Sequence, residues 1–370
     1  MTQPLVVPAY ADRSLADVVP AISEAFRVTR HGPAGLILPD ASSYVVLLID
    51  GLGERLLQRY AHVAPFLSSL SGEPGTAGVP STTATSLTSL GTGLAPGQHG
   101  LVGYTARVPG TNHLLNHLTW DQEIDPEQWQ PHRTAFAALA DAGVSVVNVN
   151  KRYFDGSGLT VAAHRGAAFV GADLVGERIA AVVEAAAQGP SLIYTYEGDL
   201  DYTGHRHGVA SPEWLQQLAA IDSSCEQLRE ALPSSARLLI VADHGMVDSP
   251  VDSRIDVDQE SQLRDGVSLF GGEARFRHLY CRPGALEDVL ATWRERLADR
   301  ATVLSRDEAI GRGWFGPVDA AVAPRLGDVM VACHDDLTIV SSKDFPLEQL
   351  MVGFHGSLTA DEMEIPILLA

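Results

Sequence analysis

The sequence predicts an α/β protein, a mostly parallel sheet sandwiched between helices and interrupted by a small α+β insertion. Three observations carry that expectation. The run YVVLLI at 44–49 is apolar at every position and ends in Asp50-Gly51, the pattern of a strand buried on both faces. Downstream, amphipathic segments alternate with β-branched runs, as in repeated crossover units of a parallel sheet. After Asp248 the texture changes to a polar, turn-rich stretch that leads into a short mixture of strands and a helix.

The elements follow in order. Helix-like stretches around 53–60 and 62–70 succeed the first strand. Next comes GVPSTTATSLTSLGTGLAPGQHG (78–100), whose periodic residues start near Thr83 and stop at Gly91, with hydroxyls where a helix would begin. PHRTAFAALADAG reads as a helix ending on a glycine, before the strand VSVVNV. ADLVGERIAAVVEAAAQG is another amphipathic helix and precedes SLIYTYEGD; PEWLQQLAAIDSSCEQLREAL precedes ARLLIVADHG. The insertion is expected over 249–350, with a strand at 275–281, a helix at 284–298, a further strand and two strand-like pieces near 328–341. MVGFHGSLTADEMEIPILLA then returns the chain to a final strand, so the catalytic core is expected over 1–248 and 351–370.

With 370 residues and 45% hydrophobic content, the chain can bury a large core and form more than one lobe. No apolar run approaches the ~18 residues needed to cross a bilayer. The N-terminus lacks the basic and apolar regions of a secretory signal. Cys225, Cys281 and Cys333 are far apart and odd in number, which points to reduced thiols in a cytoplasmic protein. A formal net charge of −20 repels polyanions, so neither a nucleic acid polymer nor a membrane is an expected partner. An anionic small molecule would need strong positive charge at its site. No segment carries a signal for oligomeric state.

In open α/β sheets ligands bind beyond the carboxyl ends of the strands. Three strand-like runs here end in acids: VVLLID in Asp50, LIYTYEGDLD in or near Asp199 and Asp201, and LLIVAD in Asp243. His244 follows Asp243 at once, His205 lies four residues after Asp201, and GFHGS sets His355 among glycines. A lone Asp at a strand end is most often a turn or helix cap. Three Asp and three His together offer the carboxylate and imidazole donors that a catalytic zinc accepts, and divide into two sets of three. Three carboxylates, two divalent cations and one deprotonated hydroxyl sum to zero, so such a site can receive a phosphate.

LLIDGLG, PSTTATSLTSLGTGLAPGQHG, DLDYTGHRHG, VADHGM and GFHGS, in this order over residues 44–355, resemble the alkaline phosphatase superfamily, and most closely its type I phosphodiesterase/nucleotide pyrophosphatase branch. The resemblance implies an alkaline phosphatase-like fold and a phosphodiesterase or nucleotide pyrophosphatase that hydrolyses small phosphate esters through a phosphothreonine. It implies Thr83 as the nucleophile, with Thr82 its nearest rival. It also implies two zinc ions, one held by Asp50, Asp243 and His244 with Thr83, the other by Asp201, His205 and His355; the same donors admit Mn2+ or iron. Ser86 stands where that branch typically carries an Asn that donates to the phosphoryl group. Ser86 and the backbone N–H of Thr83 or Ala84 are accordingly expected to bind substrate. The departure at Ser86 keeps a phosphomonoesterase or phosphonate hydrolase in play, and a metal-binding protein without turnover is the alternative of another class.

Other residues read more plainly. His99 in GQHG is expected to brace the nucleophile helix, and His113 and His117 have no accompanying acid at a strand end. Asp199 could orient a ligand histidine. Tyr104, Trp120 and Tyr153 could stack on a flat leaving group or fill the core. Arg275 and Arg277 could hold a second phosphate, but a solvated strand face is the simpler account.

Overall fold

The computed structural model describes residues 4–29 and 35–370. Five strands run parallel: β1 (Ser43–Ile49), β2 (Ser145–Asn150), β3 (Ala168–Gly171), β4 (Ser191–Glu197) and β5 (Ala236–Val241). β1 lies at the centre, paired with β4 on one side and β5 on the other. All seven of its residues are buried, as a continuous apolar run with both faces covered requires. The covering helices include α1 (Val18–Ala25), α2 (Thr83–Thr92), α3 (Val175–Ala186), α4 (Asp199–His207) and α5 (Pro212–Ala231). α3 packs across β1, β2 and β4 with α5 beside it, and α1 and α2 pack together.

The 249–350 stretch builds a second, antiparallel sheet from β6 (Val267–Glu273), β7 (Phe276–Cys281), β8 (Ala301–Ser305) and β9 (Val329–Cys333), in the order β6-β7-β9-β8. The period of two in its strands feeds two cores. Phe276, Leu304, Met330 and Ala332 face the main core. Leu279, Val303, Val329 and Val331 face the other way, against Val289 and Trp293 of α6 (Leu286–Leu297).

The last strand, β10 (Ile367–Leu369), pairs antiparallel with β5 and completes the main sheet as β10-β5-β1-β4-β2-β3. The fold is thus α/β with a mostly parallel sheet between helices, plus small antiparallel sheets. Two strands of these two main sheets were not legible in the sequence, nor were short strands such as Thr105–Arg107 and Leu114–Asn116. β3 is a four-residue edge strand, and β6 continues a turn-rich stretch and contains two glycines. Among the described residues no helix is long and apolar enough to cross a membrane.

Candidate active site

Three adjacent strands, β5, β1 and β4, deliver one acid each at their carboxyl ends. Asp50 follows β1 directly. Asp243 lies two residues past β5, and Asp201 sits in the first turn of α4, just after β4. The turn after Asp50 requires glycine: Gly51 has φ +75°, and a Cβ there would stand 3.1 Å from the Cβ of Asp201. Its N–H donates to Asp243 Oδ1 at 3.1 Å, and the His244 N–H donates to the same oxygen at 3.0 Å. His205 follows Asp201 by one helical turn on the same face of α4, its Nε2 3.3 Å from Asp201 Oδ2. His355 arrives on the loop after the short strand Gly353–Phe354, which pairs with Val247–Asp248.

The three imidazoles are oriented alike. Nδ1 of His205, His244 and His355 lies 2.8, 3.0 and 3.0 Å from the carbonyls of Gly353, Gly245 and Ser81. A carbonyl accepts only from an N–H, so each proton sits on Nδ1 and each Nε2 turns a lone pair inward. The Nε2 atoms of His355 and His205 are 3.2 Å apart, and the rings of His244 and His355 stack at 3.7 Å. Ligating atoms of Asp50, Asp243 and His244 all lie within 4.8 Å of one another, as do those of Asp201, His244 and His355. His244 therefore stands between the two groups.

Asp50 Oδ1, Asp201 Oδ1 and Asp243 Oδ2 are buried and accept no hydrogen bond. Orphaned carboxylate oxygens facing inward lone pairs are costly unless a cation lies between them. The donor set fits divalent metal ions on this ground. Electrostatics agree. Burial, then the charges of Asp243 and Asp201, push the Asp50 pKa well above the carboxylate range, and burial raises Asp243. Burial also raises Asp201, but His205, His355 and His244 outweigh it and hold its pKa below the usual range. Burial, then His244, keeps His355 neutral, its pKa well below an ordinary histidine.

Thr83 is the first residue of α2, and its Oγ1 lies 3.3 Å from Asp50 Oδ2 and 3.4 Å from His244 Nε2. Thr82, at the N-cap, makes no side-chain cap bond; its hydroxyl goes to Glu273. The capping account of these hydroxyls therefore fails, and of the two threonines only Thr83 reaches the acid–imidazole cluster. Ser86 departs from expectation. It is fully buried, and its hydroxyl donates to the Asp243 carbonyl at 2.7 Å, so its one proton is committed away from any substrate. The Ala84 side chain is also buried, which leaves its backbone N–H as the group it could offer.

Residues 44–358 match the family model for type I phosphodiesterase / nucleotide pyrophosphatase. The chain belongs to the type I phosphodiesterase/nucleotide pyrophosphatase family. Solved structures share its fold at low sequence identity. Murine ectonucleotide pyrophosphatase/phosphodiesterase 5 aligns with TM-score 0.69 and 16% identity, over 88% of this chain and 87% of that one. The human form aligns with TM-score 0.68 and 18% identity over the same shares. Phosphonoacetate hydrolase from Sinorhizobium meliloti, in complex with phosphonoformate, aligns with TM-score 0.68 and 19% identity, over 90% of this chain and 91% of that one. No curated protein sequence gives a significant match.

In this family member Thr83, Asp201, His205 and His355 line a cavity of 1060 Å³, together with Phe270, Phe345 and Lys343 of the 249–350 stretch. Two functional residues escaped the sequence reading. Tyr196, in β4, donates its hydroxyl to Asp50 Oδ2. Its place at the end of a strand neighbouring β1 was the available signal. Glu273, the last residue of β6, lines the cavity with its pKa pushed up to about 8 by burial; nothing local in GGEARF marks it.

The remaining candidates separate cleanly. His99 shares a 2.9 Å hydrogen bond with Ser89 of α2, so it braces that helix. His117 is buried with Nδ1 on the Gly103 carbonyl, whereas His113 lines the cavity. Asp199 accepts from Lys151 at 2.8 Å. Tyr104 lines the cavity, Trp120 packs over Gly158, and Tyr153 is 70% exposed. Arg275 and Arg277 are neither a phosphate site nor a solvated face: both are fully buried, paired with Glu362 and Glu348.

Proposed function

We propose that the protein is a two-metal phosphodiesterase or nucleotide pyrophosphatase that hydrolyses a small phosphate ester through a phosphothreonine at Thr83. The observation that carries this reading is the approach of one helix-start hydroxyl to Asp50 and His244, beside three carboxylate oxygens that have no partner. Asp50, Asp243 and His244 with Thr83 would hold one ion, and Asp201, His205 and His355 the other. Zinc suits these donors best, with Mn2+ or iron admissible. Bound there, the pair would neutralise the carboxylates, polarise the phosphoryl group and lower the pKa of the attacking hydroxyl.

The chain's own residues do the rest. Thr83 Oγ1 gives up its proton along its hydrogen bond to Asp50 and attacks phosphorus, and the leaving group departs with the ester oxygen. The N–H groups of Thr83 and Ala84 lie in the first turn of α2, where an intrahelical acceptor is lacking, and would donate to the phosphoryl oxygens and favour their charge. Water then attacks the same phosphorus: its hydroxyl stays on the phosphate product, its other proton restores the Thr83 hydroxyl as that P–O bond breaks, and the proton first taken by Asp50 passes to the departed alkoxide. Two in-line displacements give net retention at phosphorus.

Related structures support the reading. The murine relative was also solved as a threonine-to-alanine form, described as inactive, in complex with AMP. The absence of a side-chain donor at Ser86 favours a second reading, a monoesterase or phosphonate hydrolase, and the fold of phosphonoacetate hydrolase is similar. Three free thiols are consistent with a cytoplasmic protein, and the second core on the outer face of the 249–350 sheet supports a cap-like lobe.

Thr83→Ala tests the central claim. Hydrolysis of bis(p-nitrophenyl) phosphate should fall at least ~10³-fold while zinc stoichiometry is kept. Equal activity in the variant would overturn the assignment of the nucleophile, and no turnover in the zinc-loaded wild type would favour a silent metal-binding protein. A kcat/KM for p-nitrophenyl phosphate well above that for the diester would transfer the protein to the second reading.

A further inference from the structure

The tip of the hairpin that joins β6 to β7 presses two charged side chains, two residues apart, against the loop that carries His355. Glu273 is 6% exposed. Its Oε1 accepts from the Tyr104 N–H at 3.3 Å, and the Thr82 hydroxyl also bonds the carboxylate. Its Oε2 accepts no hydrogen bond and stands 3.6 Å from His355 Nδ1. The loop is shaped to admit it: Gly356 has φ +127°, and a Cβ there would lie 2.7 Å from Glu273 Cγ.

Arg275 secures the other end of the same loop. Fully buried, it donates from Nε and Nη2 to Glu362 Oε1 and Oε2 at 2.6 and 2.8 Å. Glu362 in turn accepts from the Ser357 N–H at 2.9 Å and the Thr359 hydroxyl at 2.5 Å. The Ser357 hydroxyl donates to the Cys333 carbonyl of β9 at 2.6 Å. His355 is thus bracketed by contacts that originate in the second sheet.

A buried carboxylate with an orphaned oxygen is costly, and a purely structural contact would satisfy it. His355 Nδ1–H already donates to the Ser81 carbonyl at 3.0 Å, and the Glu273 carboxyl group, packed against Gly356 beside that contact, braces the ring with its Nε2 lone pair facing Asp201 and His205. We propose that Glu273 and Arg275 are positioning residues for His355, so that the second sheet, together with the Ser81 carbonyl, sets the orientation of one metal ligand. This rests on the ligand assignment made under the proposed function.

The test is zinc titration of the metal-free full-length protein by calorimetry, with circular dichroism melts alongside. Glu273→Gln keeps the shape and removes the acid. It should weaken one of the two zinc sites ~10- to 100-fold and leave the other at wild-type affinity. Arg275→Lys, which keeps the charge but loses the fork, should weaken the same site; if it fails to fold, the glutamate variant still decides. Wild-type affinity at both sites in Glu273→Gln, or equal weakening at both, overturns the inference. His355→Ala separates the two claims: it should bind a single zinc. Two tightly held ions in His355→Ala would refute the ligand assignment itself, whereas a single ion there with unchanged binding in Glu273→Gln would refute only the role of the hairpin.

Discussion

Tyr196→Phe removes one oxygen atom and isolates its role. The hydroxyl donates to Asp50 Oδ2, the same oxygen that Thr83 Oγ1 approaches at 3.3 Å, while Asp50 Oδ1 has no partner. It is the hydrogen bond that lowers the Asp50 pKa against the larger push of burial and of Asp243 and Asp201. A hydrogen bond to a charged group contributes about 1.5–3 kcal/mol. At 1.4 kcal/mol per factor of ten, that is about ten- to a hundredfold in the ionisation of Asp50.

The sign follows. Without the hydroxyl the carboxylate is harder to ionise, so its pKa rises further and protons compete better with a metal ion. Zinc affinity at the Asp50 group should fall by about that factor at acid pH, and less as pH rises. In the assay, the acid limb of the kcat/KM profile for bis(p-nitrophenyl) phosphate should move to higher pH by about one to two units. An unchanged profile, or an acid limb displaced to lower pH, would refute the reasoning and reduce Tyr196 to a packing residue.

Ser86→Ala should cost ~1 kcal/mol in urea denaturation, because the Asp243 carbonyl loses its partner at a fully buried position; Ser86→Asn should overpack that site and lower activity instead of restoring a phosphoryl donor. Removing metal should make stability fall with pH. Burial raises the pKa values of Asp50, Asp243 and Glu273, the last from 4.5 to about 8, so the native state holds protons that the unfolded chain has already released. Their contribution is complete below the ordinary carboxylate range and is lost as pH climbs through the raised values, for Glu273 through about 8. Asp201, with its lowered pKa, runs the other way: it contributes stability above the ordinary carboxylate range and loses it only as pH falls into acid. Melting temperatures of the chelated protein between about pH 5 and about pH 9 check this, and a flat or rising trend would contradict it.

The elements that the sequence revealed are those whose signal is local. β1 is a continuous apolar run and β4 and β5 carry apolar, β-branched or aromatic residues through most of their length, and each is followed within a few residues by an acid because the chain must turn out of the sheet there. His205 was visible because four residues make one helical turn from Asp201. What stayed hidden depends on partners distant in sequence. Ser86 faces Asp243, 157 residues away, and nothing in STTATSL says which way its hydroxyl turns. Arg275 and Arg277 read as solvated because an arginine in a strand usually is. Their burial depends on Glu362 and Glu348, which lie 87 and 71 residues further on. Glu273 was hidden for the same reason, its neighbours Tyr104 and His355 lying on separate loops.

The distribution of arginine also bears on how an acidic protein accepts an anion. Arg264 and Lys343 are the only Arg or Lys side chains among the residues that line the cavity, and Arg264 is engaged by Asp258 and Asp344. Arg275 and Arg277 are spent on buried glutamates. The ligand cluster itself contributes three aspartates, against which a phosphate diester would be repelled by about 4 kcal/mol per charge at 4 Å in a medium of intermediate dielectric. Neither of the two cavity-lining cations belongs to the ligand cluster, and at Thr83 the start of α2 supplies positive potential. The same three carboxylates that would exclude a substrate in the bare protein are those with unpartnered oxygens turned toward imidazole lone pairs. A site built this way becomes attractive to phosphate only when divalent charge fills it, so metal loading and substrate affinity are one electrostatic property of these seven side chains.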